Sequence, residues 1–144
     1  MIWTGFGGEE PVIQTLLENF EPRVADAAPF AKASRVLLIR APSGVGLDIA
    51  LGGLRFEEDA ANRASEFEFP GDVRLRTCTA EDLVVMKAFA ARAKDWLDVE
   101  GIIIRQSGKL DWSYVESQLQ PLVELKGAPD ILAELERRRI EFER

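Results

Sequence analysis

The chain has 144 residues, a formal net charge of −7, one cysteine and no histidine. This length suits one domain with a real core, and the missing residue types exclude an internal disulfide, a cysteine-based zinc site and any catalytic group that uses histidine. The acidic balance argues against a broadly basic nucleic-acid-binding surface. Near the C-terminus, Arg137-Arg138-Arg139 alternates with glutamates, which is typical of a solvated helix face.

The first half of the chain predicts helices around a β-hairpin. Apolar residues at helical spacing predict a helix over 11–20, and a shorter helix over 29–33 follows. Residues 35–40 and 45–51 are strand-like and flank the turn sequence Ala41-Pro42-Ser43-Gly44. A surface helix is expected over 55–65 and a strand over 73–78.

The second half of the chain is helical in pattern. Thr79 followed by Asp82 is a helix-start signature, and the helix should extend to about Ala93. Further helices are expected over 95–106, after Asp111, and from about 130 to the end. The expected fold class is α+β: a small mixed or antiparallel sheet with helices (1–78), followed by a C-terminal helical bundle (79–144) packed on it in one compact unit.

The strand over 45–51 carries one carboxylate in an apolar run, "VGLDIALGG". Strand alternation places Val45, Leu47, Ile49 and Leu51 on a core face and Asp48 among glycines and Ala50 on the other. The small neighbours leave room for a bulky group, such as a metal-bound phosphate, to approach Asp48. An exposed sheet face where Asp48 meets water explains the pattern equally well.

A second cluster of charges occupies "KAFAARAKDWLD", residues 87–98. Lys87 lies among apolar residues, where a lysine usually has a partner or extends to water. Asp95 and Asp98 occur at the start of the next helix, near its positive end. Physical chemistry alone favours an ion-pair network that joins two helices over a phosphate-facing lysine that Asp95 orients.

The two clusters together resemble a known family. The segments "GLDIALGGLRFEEDAANRAS", "TAEDLVVMKAFAARAKDWLDVEGIIIRQ" and "LDWSYVESQL" resemble nucleotidyltransferase-fold proteins of the AbiEii/AbiGii toxin type over roughly residues 35–125. The resemblance implies a polymerase-β-like minimal core, Mg²⁺, and transfer of a nucleoside monophosphate from an NTP to an acceptor hydroxyl. Metal ions and cations neutralise the transferring phosphoryl group in such chemistry.

The resemblance also implies roles for particular residues. Asp48 matches the third metal-binding carboxylate of the family, and Lys87 and Asp95 match its catalytic Lys and Asp. Arg92 and Asp98 match supporting, substrate-binding positions. The implied partners are an NTP, an RNA or protein acceptor, and a cognate antitoxin in a bacterial toxin–antitoxin system.

The sequence departs from the family before Asp48, where it contains neither the expected Gly-Ser loop nor an Asp-x-Asp pair. One carboxylate does not build a two-metal site, so this chain is expected to be a truncated or degenerate member, weak or inactive as it stands. Three interpretations stay open: an Mg²⁺-dependent nucleotidyltransferase, a non-catalytic interaction or homodimerisation module with an open sheet edge, and a structural domain whose Lys–Asp network is only an ion-pair lattice. With no membrane-length apolar run and no signal peptide, a cytoplasmic location is expected.

Overall fold

The computed structural model describes residues 1–143. Its chain forms two compact units, Met1–Asn62 and a second that begins at Arg63. The first unit contains β1 (Ile2–Trp3), α1 (Glu10–Asn19), β2 (Glu21–Pro22), α2 (Ala27–Ser34), β3 (Val36–Arg40), β4 (Gly46–Gly52) and most of α3 (Arg55–Arg63). The second contains β5 (Ser65–Phe69), β6 (Val73–Thr77), α4 (Ala80–Ala90), α5 (Ala93–Gln106), α6 (Trp112–Lys126) and α7 (Asp130–Phe142).

The predicted α+β class is confirmed. A four-stranded mixed sheet has the order β1-β4-β3-β2, and β5 and β6 form a separate two-stranded sheet. β1 is parallel to β4, while β3 pairs antiparallel with both β4 and β2. The boundary predicted between residues 78 and 79 stays a prediction. No helix in residues 1–143 is long and apolar enough to cross a membrane.

The core of the first unit lies between one face of the sheet and the helices α1 and α2. Its buried side chains come from both layers: Ile13, Ala27, Ala31, Leu37, Ile39 and Leu51. Leu47 and Ile49 of β4 pack against this cluster, as alternation predicts. Val45 was expected on the same face, but it precedes β4 and is exposed because it belongs to the turn, whose Ala41 amide donates to the Val45 carbonyl.

The core of the second unit lies among the four helices, where α4 packs against α5 and α6, and α7 against α5 and α6. Trp96 and Trp112 are buried in this core, where such large rings contribute much of the apolar contact. The strand predicted over 73–78 is confirmed as β6. Its partner β5 was not predicted, because the sequence "SEFEF" follows directly on a helix that was expected to continue to Ser65.

Candidate functional site

Asp48 lies in the middle of β4, directly opposite Leu38 of β3, on the face of the sheet that points away from the core. Its side chain is 67% exposed and forms an ion pair with Arg23. Asp48 is therefore not a buried charge in a strand. It is a solvated carboxylate with one cationic partner.

Arg23 occupies the space that the small residues of β4 leave open. A Cβ atom on Gly46 would lie 3.2 Å from the guanidinium carbon of Arg23, so the guanidinium lies closely over the glycine. The Arg23 amide donates to the carbonyl of Leu38 at 3.0 Å, which fixes the residue beside the sheet just after β2. The bulky group expected near Asp48 is, in this structure, a side chain of the protein itself.

The corner between α4 and α5 brings together four of the five charged residues of the second predicted cluster, all but Lys94. Lys87 is in the last turn of α4, which ends at Ala90, and Ala91 turns the chain in the left-handed conformation with φ of 57°. Arg92 is the N-cap of α5. Because the two helices meet at this short connection, Lys87 lies beside the first turns of α5.

Asp95 is at the centre of this corner and is fully buried. Arg92 holds it with two guanidinium hydrogen bonds, from Nε to Oδ2 at 2.5 Å and from Nη2 to Oδ1 at 3.0 Å, and its amide also donates to Oδ2 at 3.3 Å. Lys87 Nζ reaches Oδ1 at 3.4 Å. The hydrogen bonds from Arg92, and then Lys87, lower the pKa of Asp95 to about 2, although burial acts in the opposite direction.

Lys87 bridges two carboxylates. Besides Asp95, its ammonium contacts Asp98 Oδ2 at 2.7 Å, and the hydrogen bond to Asp98 raises the pKa of Lys87. The Lys87 side chain is 29% exposed and that of Arg92 is 62% exposed. The corner is thus the ion-pair network that physical chemistry favoured, and both cations still reach solvent.

A second buried carboxylate, Asp82, was not singled out as a site from the sequence. It is the third residue of α4, and it accepts hydrogen bonds from the hydroxyls of Thr79 at 2.8 Å and Tyr114 at 2.7 Å. Arg63 Nε lies 3.4 Å from Oδ2, and its guanidinium stacks on the Tyr114 ring. The Thr79–Asp82 spacing did predict the helix start, and the Thr79 side chain caps α4 as expected.

The arginine run of α7 does not form a wholly solvated face, which corrects that prediction. Arg138 is largely buried, pairs with Glu100 and Glu134, and stacks on Trp96. Arg139 stacks on Trp112. The run joins α7 to its neighbours, because the aliphatic stems and planar guanidinium groups cover the buried indole rings.

The donor set for a metal ion is small. Among residues 1–143, no group of three or more acidic or cysteine side chains comes together in a way that could hold a metal ion. Mg²⁺ keeps several waters and often binds through one or two carboxylates plus substrate phosphates. Asp48 is exposed but already paired with Arg23, so it offers such an ion one carboxylate only by exchanging that partner.

Residues 12–127 match a protein family described as nucleotidyltransferases of unknown function (DUF6036). The chain belongs to this family. The matched region contains both Asp48 and the whole Lys87–Asp98 cluster, so the nucleotidyltransferase assignment drawn from those two motifs is supported. A comparison with curated proteins gives no match. The toxin type and the roles of the individual residues stay predictions.

Proposed function

We propose that this chain is a nucleotide-binding domain of the nucleotidyltransferase type, from a bacterial toxin–antitoxin system, that takes an NTP together with Mg²⁺. The observation that carries the proposal is the α4–α5 corner. There a fully buried Asp95 holds two cationic side chains, Lys87 and Arg92, whose charged ends remain in contact with solvent. Membership of a family described as nucleotidyltransferases of unknown function supports the proposed reaction class.

The corner suits a polyphosphate for electrostatic reasons. An ammonium and a guanidinium that are already oriented lose less conformational entropy when they bind an anion. Asp98 is half-exposed and competes for Lys87, so a phosphate oxygen would replace it as the partner of the ammonium. Asp95 acts as a positioning residue, because its buried carboxylate contacts both cations.

Asp48 is proposed as the magnesium ligand, and this role is independent of the one assigned to the corner. In the reaction of the family, a magnesium ion would neutralise charge on the triphosphate. In that reaction, the acceptor hydroxyl oxygen bonds to the α-phosphorus, the bond to the bridging oxygen of the β-phosphate breaks, and pyrophosphate leaves while a carboxylate takes the hydroxyl proton. The sequence before Asp48 lacks the Gly-Ser and Asp-x-Asp motifs, so we propose nucleotide binding with weak or no transfer by this chain.

Calorimetric titration of Mg·ATP, Mg·GTP, Mg·CTP and Mg·UTP into the chain tests the proposal. We expect Lys87→Met to weaken binding about tenfold or more, since a charge-assisted hydrogen bond to phosphate is lost. Lys94→Met is the matched control, because Lys94 lies on the first turn of α5, is exposed and should change the affinity by less than about twofold. Equal effects of the two variants, or no binding of any NTP, would overturn the proposal.

The metal role of Asp48 has its own test. Calorimetric titration of Mg²⁺ alone should show binding to the unmodified chain, and this binding should disappear in Asp48→Asn. Asp26→Asn removes another exposed carboxylate of the first unit and should preserve the binding of Mg²⁺. Magnesium binding that survives in Asp48→Asn would exclude Asp48 as the ligand.

One observation favours the alternative function, a non-catalytic module that dimerises through its sheet edge. β1 pairs with Leu51 and Gly52 of β4, and within residues 1–143 no other strand lies on that side of β4. An unpaired edge is a template for another strand, and a second copy could pair there. If this alternative is correct, the chain dimerises but binds no NTP. Substitutions in the β5–β6 hairpin should then leave the measured mass of the dimer unchanged.

A further inference from the structure

The β5–β6 hairpin has one apolar face and one charged face. In the antiparallel register Phe67 is opposite Leu75, and Phe69 is opposite Val73. These four side chains share a face, since residues two apart on a strand and directly paired residues point the same way. The rings of Phe67 and Phe69 touch edge to face, with centroids 4.9 Å apart, which confirms their common direction.

The other face of the hairpin consists of charged pairs. Glu66 is opposite Arg76 and Glu68 is opposite Arg74, so two negative and two positive side chains balance each other. Opposite charges in cross-strand positions stabilise a hairpin. These charged side chains are paired across the strands and exposed to water, so this face has no apolar surface that a partner must cover.

The apolar face, by contrast, is open. Its four large side chains are between 37% and 57% exposed, although a contiguous apolar surface is costly in water. A two-stranded sheet is at best marginally stable by itself and gains stability from a layer on its apolar face. The hairpin therefore resembles one layer of a β-sandwich whose apolar face has no second layer.

We propose that this face docks on the same face of a second copy of the chain. A two-fold axis parallel to the strands, between the two hairpins, places β5 of one copy over β6 of the other. Phe67 then lies over Leu75 of the second copy and Phe69 over its Val73. Large side chains meet smaller ones at every position, which keeps the spacing between the stacked sheets even.

The charges of the hairpin favour this stacking over pairing through the strand edges. Antiparallel pairing of β5 with its copy, centred on Phe67, would place Glu66 opposite Glu68. The same pairing of β6, centred on Leu75, would place Arg74 opposite Arg76. Like charges in directly opposite positions are destabilising, whereas face-to-face stacking leaves all four charges on the outer surfaces.

The size of the face sets the expected strength of the dimer. Four partly exposed side chains bury less than the roughly 800 Å² per partner of a standard interface. A weak, reversible dimer is therefore expected, with a dissociation constant on the order of 100 µM. The experiment must reach concentrations above that value.

Sedimentation equilibrium of the purified chain from about 10 µM to about 1 mM tests the proposal. The mass should rise from monomer towards dimer. Leu75→Gln should weaken the dimer about tenfold or more because it places an amide in the apolar contact. Arg74→Gln introduces the same side chain one residue away on the charged face, and it should change the dissociation constant by less than about threefold.

A second measurement locates the contact without a variant. Amide NMR shifts of the unmodified chain should change on dilution mainly within residues 65–77. A chain that stays monomeric at every concentration would overturn the proposal and leave the face to a different protein. A dimer that Leu75→Gln and Arg74→Gln affect equally, or whose dilution shifts lie on β4, would also overturn it.

Discussion

Asp82 and Asp95 occupy the same position in two consecutive helices, yet their surroundings differ in kind. Each is the third residue of its helix, and each is fully buried. Asp82 is held chiefly by the neutral hydroxyls of Thr79 and Tyr114, with one arginine nitrogen at 3.4 Å. Asp95 is held by a guanidinium fork and an ammonium.

The difference is the reason why we assign the proposed anion site to Asp95 and not to Asp82. The hydroxyl partners of Asp82 are neutral, and its one arginine partner, Arg63, stacks on Tyr114. Asp95 instead orients two cations, Lys87 and Arg92, and both reach solvent. Burial of an acid is by itself weak evidence for a site, because ion-pair networks that only support the structure bury acids as well.

The largest expected effect comes from Asp95→Asn. The amide presents hydrogen-bond donors to Arg92 and Lys87, which are themselves donors, so we expect a loss of about 2–3 kcal/mol in the free energy of unfolding. Chemical denaturation measures it. Asp98→Asn removes a half-exposed carboxylate from the same cluster and should cost less than about 0.5 kcal/mol. Equal losses in the two variants would contradict the central place of Asp95.

The pH dependence of that loss is the next effect. The pKa of Asp95 is about 2 in the folded chain against an ordinary value of 3.8, so its contribution to stability is present above pH 4 and decreases as the pH falls towards 2. Because its partners are partly exposed, we expect the stability difference between the unmodified chain and Asp95→Asn to shrink by about 1–2 kcal/mol between about pH 5 and pH 2. Urea denaturation at several pH values measures this difference, and a constant difference would exclude a lowered pKa.

Tyr114→Phe tests the other carboxylate. It removes the hydroxyl that donates to Asp82 at 2.7 Å and keeps the ring, so we expect a loss of about 1–1.5 kcal/mol in the free energy of unfolding. Ser117→Ala, which removes an exposed hydroxyl of the same helix, serves as the control and should be nearly neutral. Thermal and urea unfolding measure both. A neutral Tyr114→Phe would mean that the other partners of Asp82 suffice.

The smallest effect is expected at Arg23. Its pair with Asp48 is solvent-exposed, so Arg23→Gln should change the free energy of unfolding by less than about 0.5 kcal/mol, as judged by urea denaturation. A loss above about 1 kcal/mol would show that the packing of the guanidinium over Gly46 matters more than the ion pair.

Much of the fold, but only part of the candidate site, could be predicted from the sequence. Helical spacing and capping residues were enough to predict each of the seven helices that residues 1–143 form, and the spacing of Lys87, Arg92, Asp95 and Asp98 was enough to predict one cluster, because all of these are local relations. Arg23 was missed because it lies 25 residues from Asp48. Only the pairing of β2 with β3 brings the two together, and no local spacing indicates that.

Arg138 and β5 show two other limits of prediction from the sequence. A run of mixed charges is the same in sequence whether it faces water or covers an indole ring, so the position of Arg138 on Trp96 depended on how α7 packs. In β5, the alternation of acidic and aromatic residues in "SEFEF" was visible, but its partner strand was needed to distinguish a hairpin from the end of α3.

The alanine at the α4–α5 corner has a consequence for the order of folding. Ala91 has a φ of 57°, a conformation that costs an alanine about 1 kcal/mol more than a glycine. The local sequence of this connection therefore disfavours the turn that it adopts, so folding is not expected to start there. We expect α4 and α5 to form as separate helices and to be fixed in their final angle only when Asp95 meets its cations, so that the corner forms late, after the transition state for folding.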